Sequence, residues 1–118
     1  MSFAINISKF AKHCNATLGE SCRAIKIELF SSVILDTRVD TGRLRGNWQT
    51  STGQPITSET EREDKEGGST IREAEQNVTD FEVDYMTNNV PYAVVWEERD
   101  AMIAKNMLRI QRNLRRFK

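Results

Sequence analysis

This chain is short of the residues that most often carry chemistry. It has one histidine, His13, and two cysteines, Cys14 and Cys22. That is too few ligands for a zinc site unless subunits share one. The two thiols stand about 12 Å apart along the axis of a predicted helix, too far for a disulfide within it. We read both as small apolar fillers. His13 cannot serve Cys14 as a base, because adjacent helical residues point about 100° apart. No apolar run approaches the ~20 residues needed to cross a bilayer. Met1 to Phe10 lacks a basic start followed by an apolar block, so no secretory signal is expected. The expected compartment is the cytoplasm of the cell that makes the chain. Phosphate-binding loops, zinc spacings and nucleotide fingerprints are missing as well. These absences leave an enzyme little to stand on: no catalytic residue, metal or cofactor is expected, and membrane partners are not expected either.

What the sequence does contain fits one small domain. At 118 residues it can bury somewhat under ~70% of its extended surface. The apolar share of 38% against 29% charged residues, with a mean hydropathy of −0.57, gives a thin core under a polar surface. Net charge is zero but unevenly spread. Residues 1–58 carry seven basic and four acidic groups, a net +3. Residues 59–100 carry four basic and thirteen acidic, a net −9, and residues 101–118 carry six basic and none acidic. Opposite poles suit head-to-tail contact between copies. Ordinary solvated loops and helix faces account for them equally well.

Ile7, Ala11, Cys14, Leu18, Cys22, Ile25, Leu29 and Val33 recur at steps of three and four, which predicts a helix over 6–36. Gly19 falls on its polar side. At ~45 Å such a helix would overhang its own sheet and pack on a neighbour; a break near Gly19, giving a helical hairpin, is the alternative. Gly42 suits a tight turn. A strand over 43–52 then alternates Leu44, Gly46, Trp48 and Thr50 on one face with Arg43, Arg45, Asn47 and Gln49 on the other. Gly46 leaves room for a close approach, the long helix being the candidate. Residues 53–69, with the charged run Glu59–Glu66, read as a long, mobile, acidic excursion. A short helix over 70–78, a strand over 80–88, a short helix over 91–98 opened by Pro91, and a C-terminal helix over 101–117 complete the chain.

The segments Val39-Asp40-Thr41-Gly42-Arg43-Leu44-Arg45-Gly46-Asn47-Trp48 and Asn88-Asn89-Val90-Pro91-Tyr92-Ala93-Val94-Val95-Trp96-Glu97, with Gly53 and Pro55 between them, resemble the tail-completion or neck proteins of tailed bacteriophages. The resemblance covers roughly residues 36–97 and, more loosely, the C-terminal helix. Relatives usually place a glycine soon after the glutamate and a loop before the last element. Here Glu98-Arg99-Asp100 follow directly, which leaves open how the C-terminal segment departs. The resemblance implies a structural virion protein, assembled in the host cytoplasm, that forms a homo-oligomeric ring joining head to tail. Six copies follow tail symmetry; twelve would follow the portal side. Implied partners are the connector or adaptor and the tail terminator or tail-tube proteins, with DNA passing through the channel.

The expected fold is α+β, a long N-terminal helix and a C-terminal helix on a small antiparallel sheet. Leu44, Trp48, Phe81, Val83 and Tyr85 should join Leu18, Ile25 and Leu29 in the core. Two strands make a poor sheet alone, so their open edges should pair with strands of adjacent subunits. Candidate assembly contacts are Arg43, Arg45, Tyr92, Trp96, Glu97 and the 59–66 loop, with its acids Glu61, Glu63 and Asp64. Core packing is the plainer reading of Tyr92 and Trp96, and a solvated strand face that of Arg43 and Arg45. Arg109, Arg112, Arg115 and Arg116 load the end of the last helix, where they suit its dipole and can face DNA or an acidic partner. The alternative function is a small nucleic-acid-binding protein using that helix, which the acidic middle opposes.

Overall fold

The computed structural model describes residues 17–115. Within them the chain is α+β, with five helices and a two-stranded antiparallel sheet. Helix α1 (Leu18–Asp36) leads to a single helical turn, α2 (Arg43–Gly46), and to strand β1 (Trp48–Thr52). Helix α3 (Gly68–Asn77), strand β2 (Asp84–Asn88), helix α4 (Ala93–Asp100) and helix α5 (Met102–Arg115) follow. No helix among the described residues is long and apolar enough to cross a membrane.

Thr17 is extended and starts α1 through a reciprocal cap. Its hydroxyl accepts the Glu20 N–H at 3.1 Å, and the Glu20 carboxylate accepts the Thr17 N–H at 3.2 Å. Such caps contribute about 1 kcal/mol. The helix expected over 6–36 is therefore not continuous through Thr17. At 19 residues α1 spans about 28 Å; residues 6–16, with His13 and Cys14, lie outside the described residues. Gly19 is buried rather than set on an open polar side, because Asp80 and the Phe81 ring close over it.

Val33, Ile34, Trp48 and Met102 form the centre of the core. Each fully buried side chain of this kind stabilises by roughly 1.5–3 kcal/mol. Ile25 meets Ile110 and Leu114 near the start of α1, while Val33 and Ile34 meet Met102 near its end. Helix α5 thus runs back along α1. Phe30, Ala74 and Val78 hold α3 on another side.

Several sequence expectations are corrected here. Ile25, Leu44 and Trp48 are buried and Leu29 and Tyr85 half-buried, but Leu18, Phe81 and Val83 are exposed, at 45%, 73% and 63%. The β2 ladder starts at Asp84, four residues later than expected. Its carboxylate accepts from the Thr79 N–H, the Thr79 hydroxyl and Lys26 Nζ, and Lys26 also donates to the carbonyls of Thr79 and Glu82. This knot holds residues 79–82 in an irregular turn and leaves the Phe81 and Val83 side chains exposed, although the Val83 carbonyl still accepts the Gly53 N–H at 2.9 Å.

The strand expected over 43–52 is likewise shorter. Gly42, at φ 91°, turns the chain into α2, closed by the Gly46 N–H on the Gly42 carbonyl at 2.8 Å. Leu44 and Gly46 are buried as expected, but from a helical turn. Asn47 is buried instead of facing out with Arg43: its amide nitrogen donates to the Arg43 carbonyl, and its oxygen accepts the Thr60 N–H.

Residues 53–67 hold no helix or strand, yet they are fastened along their length. Arg62 donates to the carbonyls of Gly46 and Trp48, both at 2.8 Å, and the Asp64 N–H to the Gly42 carbonyl at 3.0 Å. The close approach that Gly46 permits is made by the Arg62 carbonyl, not by α1. This loop also decides the sheet edge. The Trp48 carbonyl is taken by Arg62, the Thr50 N–H by Glu73 and the Thr50 carbonyl by Asn77. Side chains therefore close the outer edge of β1, where pairing with a neighbour's strand was expected. On β2, Met86 lies opposite Thr50, so its backbone groups point away from β1, and no bond reaches them among the described residues.

Candidate assembly interface

The two segments that carry the resemblance meet at the far end of α1. Asn88 Nδ2 donates to the Leu44 carbonyl at 2.8 Å, and Leu44, Val90 and Ala93 form one buried cluster with Trp96 packed against it. Gly42 is required at its position: beyond its positive φ, a Cβ there would crowd the backbone nitrogens of Asp64 and Lys65. A cleft of about 170 Å³ opens at this junction, lined by Arg38, Asp40, Thr41, Arg43, Tyr92 and Trp96.

Arg38 and Arg43 are committed to carboxylates just outside the lining, while Asp40 is exposed with no partner among the described residues. Arg38 lies over the Trp96 ring, 4.3 Å from the centroid, and grips both oxygens of Asp100 at 3.0 Å. That pair holds the Asp100 carboxyl below its usual range and raises the Arg38 guanidinium above its own. Arg43 is exposed and reaches Glu59 Oε1 at 2.7 Å. Arg45 is half-buried and donates to the carbonyls of Leu35, Thr37 and Lys65, tying the end of α1 to the acidic loop. Its place is inside the junction, not on a solvated strand face.

Glu97 and Asp64 also serve the fold. The Glu97 carboxylate accepts the Ile103 and Ala104 N–H groups at the start of α5. Asp64 accepts from the Gly67 N–H and from both the N–H and hydroxyl of Thr70, capping α3. Burial by itself pushes Asp64 up, but the bonds from Thr70 and Gly67, with Arg62 nearby, outweigh it and hold the carboxyl below its usual range. Glu61 and Glu63 are exposed on the same loop. The junction also exposes apolar side chains, Tyr92 at 39%, Val95 at 48%, Val94 and Val39.

The basic candidates lie along α5. Arg109 is committed to Glu28 and to the Ser32 hydroxyl, whereas Arg112 is exposed. Arg115 ends α5, with its side chain outside what is described, and Arg116 lies outside the described residues. Sequence reasoning missed Arg38 and Asp100, and held Arg62 only as part of the 59–66 loop. Arg38 carries the only available signal, a cation just past a helix end and immediately before the first resemblance segment. Side-chain bonds to distant backbone leave no periodic trace. No family model, curated protein or solved structure matches this chain.

Proposed function

We propose that this chain is an assembly subunit of the tailed-phage neck, a structural virion protein that forms a ring, of six or twelve copies, joining head to tail. The observation that supports the reading is the convergence of residues 38–48 and 88–97 on one packed junction, with Asn88 bonded to the Leu44 carbonyl. Residues that are separate in sequence thus act as one surface. Because Arg38, Arg43, Arg45 and Glu97 already have partners, the surface works chiefly by burying Tyr92, Val94 and Val95 against a neighbouring protein. The connector on one side and the tail terminator or tube on the other are the partners this reading implies. DNA passing through the channel would meet the basic end of α5, where Arg112 is exposed while Arg109 is already paired.

The test is a phage carrying Val94→Asp and Val95→Asp in this chain. Both side chains point outward, so the fold should survive. Filled heads lying beside finished tails are expected; normal numbers of joined particles would overturn the reading.

A further inference from the structure

The sheet has one closed edge and one open one. Side chains close the outer edge of β1. On β2 the backbone groups of Asp84, Met86 and Asn88 point away from β1 and meet no bond among the described residues. Every position of β2 is half-buried, and β1 is the one strand beside it among the described residues. Met86, Leu29, Trp96 and Ile103 pack on the central core cluster yet stay half-buried themselves. A sheet of two strands is marginal alone, and a bare edge is a template for a further strand.

The chain ahead of α1 has the pattern, the entry point and the length to supply that strand. Thr17 caps α1, so Ile7 is released from its apolar stripe. Phe3, Ile5 and Ile7 then alternate with Ala4 and Asn6, as in a strand with one face buried. From Ser2 to Ser8 there is no charge, glycine or proline. Gly19, two residues past Thr17, lies against Asp80 and Phe81, which lead into β2 at Asp84. Lys26, which holds Asp84, is about 14 Å along the helix from Thr17. Residues 8–16 reach about 30 Å when extended, enough to set residues 3–7 along the whole of β2, about 17 Å. The direction fits as well. β2 runs from Lys26 toward the Leu44 carbonyl at the far end of α1, whereas a segment entering at Thr17 runs the opposite way. Tethering gives this segment an effective concentration of about millimolar at the edge, which favours it over a second copy.

We propose that residues 3–7 form a third, antiparallel strand on the outer edge of β2, with Ile5 opposite Met86. Ile5 and Met86 exchange both backbone bonds, while Phe3 stands opposite Asn88 and Ile7 opposite Asp84. Phe3, Ile5 and Ile7 then share the side of the sheet on which Met86 meets the core, and Ala4 and Asn6 stand with Tyr85 and Thr87 on the other. The chain closes its second sheet edge from within, whether or not it serves a phage neck.

The test is hydrogen exchange of the Met86 amide in the full-length chain, read by nuclear magnetic resonance at several protein concentrations. Ile5→Pro removes the N–H that faces Met86 and should speed that exchange by about tenfold or more. Asn6→Pro removes an N–H that points away from β2 and should stay within about threefold of the parent. Removing residues 1–7 should match Ile5→Pro, and circular dichroism checks that all variants fold. A Met86 amide that exchanges in the parent as fast as in an unstructured peptide overturns the proposal. Equal exchange in the two proline variants overturns it too. Protection that grows with protein concentration would also overturn it, and would give the edge to a second copy.

Discussion

The Arg38 guanidinium covers the Trp96 ring at 4.3 Å while its Nε and Nη2 hold Asp100, which clamps the exit of α1 onto the length of α4. Both charged partners are solvated, so the clamp sets local order more than global stability. Arg38→Gln should leave the melting temperature nearly unchanged while Trp96 emission shifts and the α4 amides exchange faster. Unchanged exchange in α4 would show that the stack holds nothing.

A second link joins the same helix end to the sheet. The Trp48 indole N–H donates to Thr37 Oγ1 at 2.7 Å, and that hydroxyl donates to the Val33 carbonyl at 2.7 Å. Both residues are buried. Thr37→Val keeps the shape but strands the indole N–H, and should cost about 1–3 kcal/mol in urea unfolding. Thr37→Ser keeps the hydroxyl and should cost clearly less; equal losses would assign the effect to packing instead.

Asp84 makes stability depend on acid. Burial alone pushes its carboxyl up, but the bonds from Lys26, Thr79 and Thr52 prevail and hold it below its ordinary 3.8. A depressed carboxylate contributes stability that is present above the ordinary value and lost as pH falls through the lower folded one. Asp84→Asn should cost about 1.5–3 kcal/mol at pH 7. The gap between variant and parent should narrow below about pH 4, where the parent's carboxyl takes up its proton. A gap that stays constant down to pH 2 would refute the assignment.

The same residues show what sequence pattern can and cannot reveal. Ile25, Leu29 and Val33 are spaced for one helix face, and α1 follows. Phe81 and Val83 also alternate with Tyr85 and Thr87, but the alternation runs past the true start of β2. The knot of Asp84, Thr79 and Lys26 stops the ladder, and Lys26 lies more than fifty residues away in sequence. The charged run around residue 62 reads as solvated for the same reason. Arg62 and Asp64 bond backbone and Thr70, and nothing in the run's composition separates them from exposed Glu61 and Glu63. At the junction, the resemblance segments were legible as strings, whereas their meeting through Asn88 and Leu44 required the fold.

The passage from α4 to α5 carries strain that can be removed. Ala101 is the one non-glycine residue with positive φ among those described, at 49°. A left-handed alanine costs roughly 1–2 kcal/mol, partly offset by the greater freedom glycine adds to the unfolded chain. Ala101→Gly should therefore raise stability by about 0.5–1 kcal/mol in chemical denaturation. A loss would mean that the alanine methyl packs more usefully than its backbone angle costs.

As the proposed neck subunit, this chain would join two other assemblies. Filled heads and finished tails, purified from a phage lacking the chain, are mixed with and without it, and joined particles are counted by electron microscopy. Joining should require the added chain and be lost with Val95→Asp. Equal joining in the absence of the chain would contradict this reading.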